Sequence, residues 1–355
     1  MGILLGIIYH FLGGGAAGSF YMPYTKVKKW SWESMWIVGG LFSWLIVPPL
    51  AAWLTVPGFS DIISATSSST LWWTYIMGVL WGIGGLTYGL GIRYLGMSLG
   101  NTVILGLTAA FGALLPSIYY DIMATPGKVT FTQMLDNTWG QFVLVGVLIC
   151  LIGIVVCGKA GMMKDKEMTK AEEEREKKEG TGEFKLGVGL AVAIVSGILS
   201  ACFNYGIEAG SPMADAAVAQ GINPLFQNNV VYVVLLWGGL TTNFVYCLFL
   251  NLKNKTYMDY GNKKSPLTAN YLLSALAGTV WFLQFFFYGM GESKMGNGAS
   301  SWIIHMGFII LIANVWGLFL KEWKGVSKKT LTTVILGIIT IFIAVLLVGY
   351  GNGLK

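Results

Sequence analysis

Residues 281–291 read WFLQFFFYGMG, a run of aromatics holding a single amide, Gln284. Residues 81–91, WGIGGLTYGLG, carry the same spacing. Trp81, Tyr88, Gly89, Gly91 and Gly96 are matched by Trp281, Tyr288, Gly289, Gly291 and Gly296, at a separation of 200. The chain around the two copies decides what kind of element is written twice.

The chain has 355 residues, of which 55% are hydrophobic and only 11% charged, and its mean hydropathy is +0.65. Soluble globular proteins carry about a quarter charged residues. With 48 Gly and 14 Trp, this deficit puts the chain in the membrane class. The net charge of +6 therefore does not argue for a nucleic-acid partner. Its distribution reports orientation instead.

A bilayer core needs about 20 apolar residues per helix. Such stretches lie near 3–24, 35–56, 71–92, 99–119 and 139–158, then near 187–207, 228–250, 269–290, 301–320 and 331–350. They are too continuously apolar for barrel strands, which alternate. The N-terminal MGILLGIIYH has no basic lead and no small-residue cleavage site, so an uncleaved first span is expected. Of the 23 Lys and Arg, 20 fall in loops after odd-numbered spans; the rest are Lys128, Lys294 and Lys355. Basic loops stay cytoplasmic, so both termini are expected on the periplasmic side.

Residues 159–185 also hold eight acids and read as a solvated cytoplasmic linker. The resulting expectation is an all-α polytopic membrane protein with ten transmembrane helices. A first five-helix repeat (1–158), a charged linker (159–186) and a second five-helix repeat (187–355) make it up. Because five is odd, the halves enter the membrane in opposite directions. The 200-residue echo then falls on the third span of each half, and a weaker one pairs GGAAGSF (14–20) with GILSACF (197–203) in the first. Inverted repeats are a common transporter architecture, with substrate held near the midplane.

The chemistry available to the spans is limited. Glu33, Glu208, Glu292 and Glu322 lie at span ends, and the only two histidines, His10 and His305, lie within spans. Intramembrane ionisable groups are functional candidates by default, and His titrates nearest working pH. His10 and His305 are therefore candidates for proton coupling; a neutral His bonded to a helix carbonyl is the competing role. Trp81 and Tyr88 form one helical stripe, and Trp281, Gln284 and Tyr288 another. Aromatic faces stack on the apolar faces of sugars, and amides satisfy hydroxyls that have left water. With no fixed charge, a small neutral sugar fits better than an ion. The substrate-binding candidates are Trp81, Tyr88, Asn101, Asn204, Trp281, Gln284 and Tyr288. Asn243 and Asn314 are lesser ones, and helix–helix bonding is the competing role for every amide. Cys150, Cys157, Cys202 and Cys247 sit in apolar stretches as small hydrophobes. No nucleophile, carboxylate pair or metal-ligand spacing appears in the spans, so no enzyme, cofactor or metal is expected.

Several strings resemble the L-rhamnose–proton symporter family of the drug/metabolite transporter superfamily. They are FYMPYTKVKKWSWESMW (20–36), WGIG (81–84), YGLGIRYLGMSLG (88–100), WFLQFFFY (281–288), SWIIHM (301–306) and LKEW (320–323). The resemblance spans essentially the whole chain. It implies ten helices in a five-plus-five inverted arrangement, a bacterial inner-membrane location, and import of L-rhamnose or a related deoxysugar with protons by alternating access. Gly85 and Thr87 stand where relatives carry amides, which bears on sugar preference. A facilitator or exporter of another neutral metabolite is the alternative; a membrane enzyme or sugar receptor is a further class. Glu33 and Glu322 are expected to pair with neighbouring Lys or Arg.

Overall fold

The computed structural model describes residues 2–95, 97–123, 127–167, 186–319 and 323–355, and among these no strand occurs. Among the described residues, ten helical spans are long and apolar enough to cross a membrane: α1 (Gly2–Tyr24), α2 (Trp32–Thr55), α3 (Ser68–Ile92), α4 (Thr102–Ile122), α5 (Thr138–Lys164), α6 (Gly187–Ala219), α7 (Pro224–Asn254), α8 (Leu267–Met295), α9 (Gly298–Phe319) and α10 (Lys328–Gly353). Each covers one predicted stretch. The first helix of α6 ends at Ala209, and the span restarts at Ser211 with Pro212 in the opening turn. Proline is tolerated there because the first-turn N–H groups have no helical partner. Of the predicted linker, residues 159–167 prolong the helix of α5 to Glu167. Residues 168–185, and Glu322 with its expected ion pair, lie outside the described residues.

The described chain gathers into two compact units, one of Met1–Ile7, Gly84–Ala201 and Met295–Lys355, the other of Ile8–Ile83 and Cys202–Lys294. The first is built on α4, α5, α9 and α10. Glycines let α5 and α10 approach: a Cβ on Gly153 would meet Ile341 and the Gly337 carbonyl, and one on Gly337 would meet Cys157. On α10 the small or buried face is Gly337, Ile341, Ala344, Val345 and Val348, while Leu336, Phe342, Ile343 and Leu346 are about half exposed. Small residues inward and large apolar ones outward are what lipid as solvent demands. The Trp302 indole N–H donates to the Thr108 carbonyl at 3.0 Å, joining α9 to α4.

Glu167 closes the N-terminus of α10. Its carboxylate accepts from the Ser327 N–H (2.6 Å), the Ser327 hydroxyl (2.8 Å) and the Thr330 hydroxyl (2.6 Å). The Ser327 backbone bond and those from Thr330 and Ser327 side chains hold its pKa below the usual carboxylate value. A depressed folded-state pKa gives stability that is present above the unfolded value and lost as pH falls through the folded one. Glu167→Gln is therefore expected to flatten the acid side of the melting-temperature profile of the solubilised protein. An unchanged acid limb contradicts this role.

The second unit is built on α2 and α7 with the adjoining lengths of α1, α3, α6 and α8. Val56, Ile62, Met213, Ala214, Ala217, Val230, Val231 and Val234 form one fully buried cluster. Two glycine crossings set the helix spacing. A Cβ on Gly278 (α8) would strike the Gly39 backbone (α2), and one on Gly238 (α7) would strike the Tyr75 and Gly78 backbone (α3). At one end Glu33 accepts from Asn254 (3.0 Å) and Thr256 (2.8 Å), and Asp259 accepts from the Ser31 N–H (2.8 Å) and the Ser34 hydroxyl (2.9 Å). The expected cation partner of Glu33 is thus replaced by neutral donors from the α7–α8 connection, which satisfy a buried carboxylate without a second charge.

Candidate functional site

Within α2 the residues Leu41–Ile46 form a π turn, with the Val47 N–H bonded back to the Phe42 carbonyl. The cause is local. Pro48 and Pro49 lack the N–H groups that an α ladder would aim at the Trp44 and Leu45 carbonyls, and the wider turn absorbs the defect. The π turn contains Trp44, which meets Trp281 (ring centroids 5.7 Å) and Trp81 (6.5 Å), while Trp81 and Trp281 lie 5.6 Å apart. Phe285 packs on Trp281 at 4.9 Å and stacks on Phe203 at 4.0 Å. Gly239 on α7 leaves the room that the Trp81 ring fills.

Beside the three indoles is a cavity of about 10 Å³, lined by Phe20, Tyr24, Trp36, Gly40, Ser43, Trp44 and Trp281. That volume is about one water. The Trp44 indole N–H is buried with no hydrogen-bond partner, whereas the Trp36 N–H donates to Asn243 at 3.1 Å and the Ser43 hydroxyl to the Gly278 carbonyl at 2.9 Å. A buried unmatched donor in an aromatic wall costs free energy unless a ligand or water takes it up.

Further along α8 the lining turns polar. The fully buried Tyr288 hydroxyl donates to Asn204 Oδ1 at 3.2 Å, and the His10 ring lies against Tyr288 (5.4 Å between centroids). Gly291 gives His10 its space, since a Cβ there would stand 2.7 Å from the imidazole. One turn beyond Tyr288, Glu292 accepts from Asn228 Nδ2 at 2.6 Å.

Of the residues singled out from sequence, Trp81, Trp281, Gln284, Tyr288, Asn204 and His10 belong to this unit. Gln284 is buried, but its amide N–H donates to the Trp281 carbonyl of its own helix at 3.0 Å, and it does not line the cavity. Tyr88 belongs to the other unit, packed on Leu95, Ile104 and Ala193. So does His305, buried on α9. Asn101 also belongs to the other unit, near the start of the helix Met97–Ile122, and its side chain is outside the described residues. Asn243 bridges α2 and α7 through Trp36, and Asn314 bonds its own helix. The four cysteines are buried and form no disulfide. Trp44 escaped sequence reading although SWLIVPP (43–49) carries a signal: paired prolines inside a span disturb the turn before them.

A family model described as L-rhamnose-proton symport protein matches residues 1–353. The L-rhamnose-proton symporters of Yersinia pestis (strain Pestoides F) and Yersinia pseudotuberculosis serotype O:3 (strain YPIII) are each 39% identical over 354 residues, 98% of either chain. That of Escherichia coli (strain 55989 / EAEC) is 38% identical over 355 residues, again 98% of both. Ten apolar spans, an aromatic cavity without fixed charge and likeness along the whole length lead to one assignment: the chain belongs to the L-rhamnose–proton symport protein family.

Proposed function

We propose that this protein imports L-rhamnose, or a closely related deoxysugar, together with protons across the bacterial inner membrane by alternating access. The observation that carries the sugar site is the cavity lined by Trp44 and Trp281, with Trp81 packed against both rings and the buried Trp44 N–H unmatched. Indole faces suit the methyl and C–H faces of a deoxysugar, and the N–H suits one of its hydroxyls. A cavity of about 10 Å³ is far too small for a monosaccharide, so sugar entry requires the helices to part. That requirement is natural for a carrier that opens to one side at a time.

The inverted five-plus-five arrangement belongs to this reading. It finds support in the glycine crossings: adding 200 to Gly39 and Gly78 gives Gly239 and Gly278, so the Gly39–Gly278 contact of α2 with α8 is mirrored by that of α7 with α3 around Gly78. The halves 1–158 and 187–355 and the periplasmic placement of both termini rest on this pattern and on the Lys/Arg distribution. Gln284, Asn204 and Tyr288 are the polar side chains of this unit proposed for the sugar hydroxyls; Tyr88 and Asn101, also put forward from the sequence, belong to the other unit. His10 and His305 are the histidines available for proton traffic.

Purified protein in liposomes tests the proposal. An inward proton gradient should drive accumulation of labelled L-rhamnose, and a panel of competing sugars should displace it in order of likeness. Flux indifferent to the gradient would make the protein a facilitator. Gln284→Ala should raise the sugar KM several-fold, the equivalent of about 0.5–1.5 kcal/mol for one neutral hydrogen bond. An unchanged KM confines Gln284 to its own helix.

A further inference from the structure

One face of α8 carries Trp281, Phe285, Tyr288 and Glu292, at steps of four, three and four residues. Such spacing puts them in one stripe, about 16 Å long at 1.5 Å per residue. Its first member belongs to the aromatic cavity and its last is a carboxylate. Between them, Phe285 touches the cavity-lining Trp281 and also Phe203 and Tyr232, and Tyr288 donates to Asn204.

Four spans converge on the carboxylate end. His10 comes from α1, packed at Gly291 and Tyr288. Asn204 and Glu208 come from α6, Asn228 and Tyr232 from α7, and Tyr288 and Glu292 from α8. The Glu208 and Glu292 carboxylates both act electrostatically on Tyr288, and Glu292 also acts on Tyr232. Lys294, two residues on, is exposed. Glu292 itself is half-buried and takes its 2.6 Å bond from Asn228, the residue that opens the long helix of α7.

Two physical consequences follow from this arrangement. A donor as close as Asn228 favours the ionised carboxylate, and a charge-assisted bond is stronger than a neutral one. Protonating Glu292 therefore weakens a link between the start of α7 and the end of α8. In addition, Glu208 and Glu292 both act on the buried Tyr288, so the charge that a proton removes from Glu292 is felt at that tyrosine as well. The α7–α8 link responds to protonation, and the same two helices carry Tyr232 and Phe285, which pack in series on the cavity-lining Trp281.

We propose that Glu292 binds the coupling proton and that Asn228 sets its affinity for it. This deepens, and rests on, the proton-symport reading. The proton comes from water, forms one O–H bond on the Glu292 carboxylate, neutralises one charge, and leaves to water on the other side. Sugar and proton meet through the α8 stripe.

The test uses the full chain in liposomes with three readouts: gradient-driven L-rhamnose accumulation, exchange of labelled for unlabelled sugar without a gradient, and the pH profile of each. With Glu292→Gln, accumulation is lost while exchange persists and no longer depends on pH. Retained accumulation overturns the assignment. Loss of exchange as well, in a variant that melts like the parent protein, overturns it too, because Glu292 would then serve sugar movement itself. Asn228→Ala supplies an independent arm. Removing a donor to the ionised form favours the protonated one, so the alkaline limb of accumulation moves to higher pH. An unchanged limb overturns the assignment even if Glu292→Gln fails to fold. If the parent protein exchanges sugar but never accumulates it on a proton gradient, the symport reading fails, and that result is distinct from either variant's.

Discussion

Trp281→Ala is expected to abolish concentrative sugar uptake and to lower the stability of the solubilised protein by about 3 kcal/mol, the low end for truncating a Trp because the ring is only partly buried. The ring is in contact with Trp44, Trp81 and Phe285, so its loss empties the middle of the aromatic cluster and removes part of the cavity wall. Stability alone does not separate packing from recognition. Trp44→Phe does. Phenylalanine keeps most of the ring packing and deletes only the unmatched indole N–H. If that N–H serves the sugar, Trp44→Phe raises KM while the melting temperature stays level or rises. If KM does not move, the cavity beside Trp44 is not where the sugar is recognised.

Gly78→Val is the second large effect. A Cβ on Gly78 would fall on the Leu235 carbonyl and within 3.2 Å of Gly238 Cα. Both obstacles are backbone, so α3 and α7 must separate. Overpacking costs about 1–3 kcal/mol even where side chains can yield, and here they cannot, so about 3 kcal/mol or more is expected. Gly85→Ala is the matched control on the same helix, because nothing lies within 4 Å of its would-be Cβ. It should be neutral or slightly stabilising, as Ala favours a helix over Gly by about 1 kcal/mol. Thermal melts of the two variants in one detergent decide the matter; equal melts contradict the glycine crossing.

The ten spans were legible because lipid demands long apolar runs and tolerates few charges. Trp81, Trp281 and Phe-rich α8 were legible because aromatics at helical spacing beside an amide are unusual. Trp44 was not, since its importance depends on a π turn that two following prolines induce. Glu292 read as an ordinary span end, because only the fold brings Asn228 to it. Glu33 looked like half of an ion pair, since nothing local announces that Asn254 and Thr256 would arrive from 221 and 223 residues away. Gln284 stood out by chemistry, yet its N–H turns back to Trp281, a choice that sequence cannot display. Which helix lengths gather into each compact unit was equally hidden: the boundaries at Ile7, Ile83, Ala201 and Lys294 fall inside helices, where composition does not change.

Proton-coupled sugar import is tested most directly with a pH electrode. Everted or right-side-out vesicles containing the protein are suspended in weak buffer, and L-rhamnose is added without any other energy source. Entry of sugar with protons into right-side-out vesicles predicts a prompt alkaline shift outside, absent with a non-competing sugar and abolished by a protonophore. Uptake of labelled L-rhamnose with no alkaline shift would contradict the account.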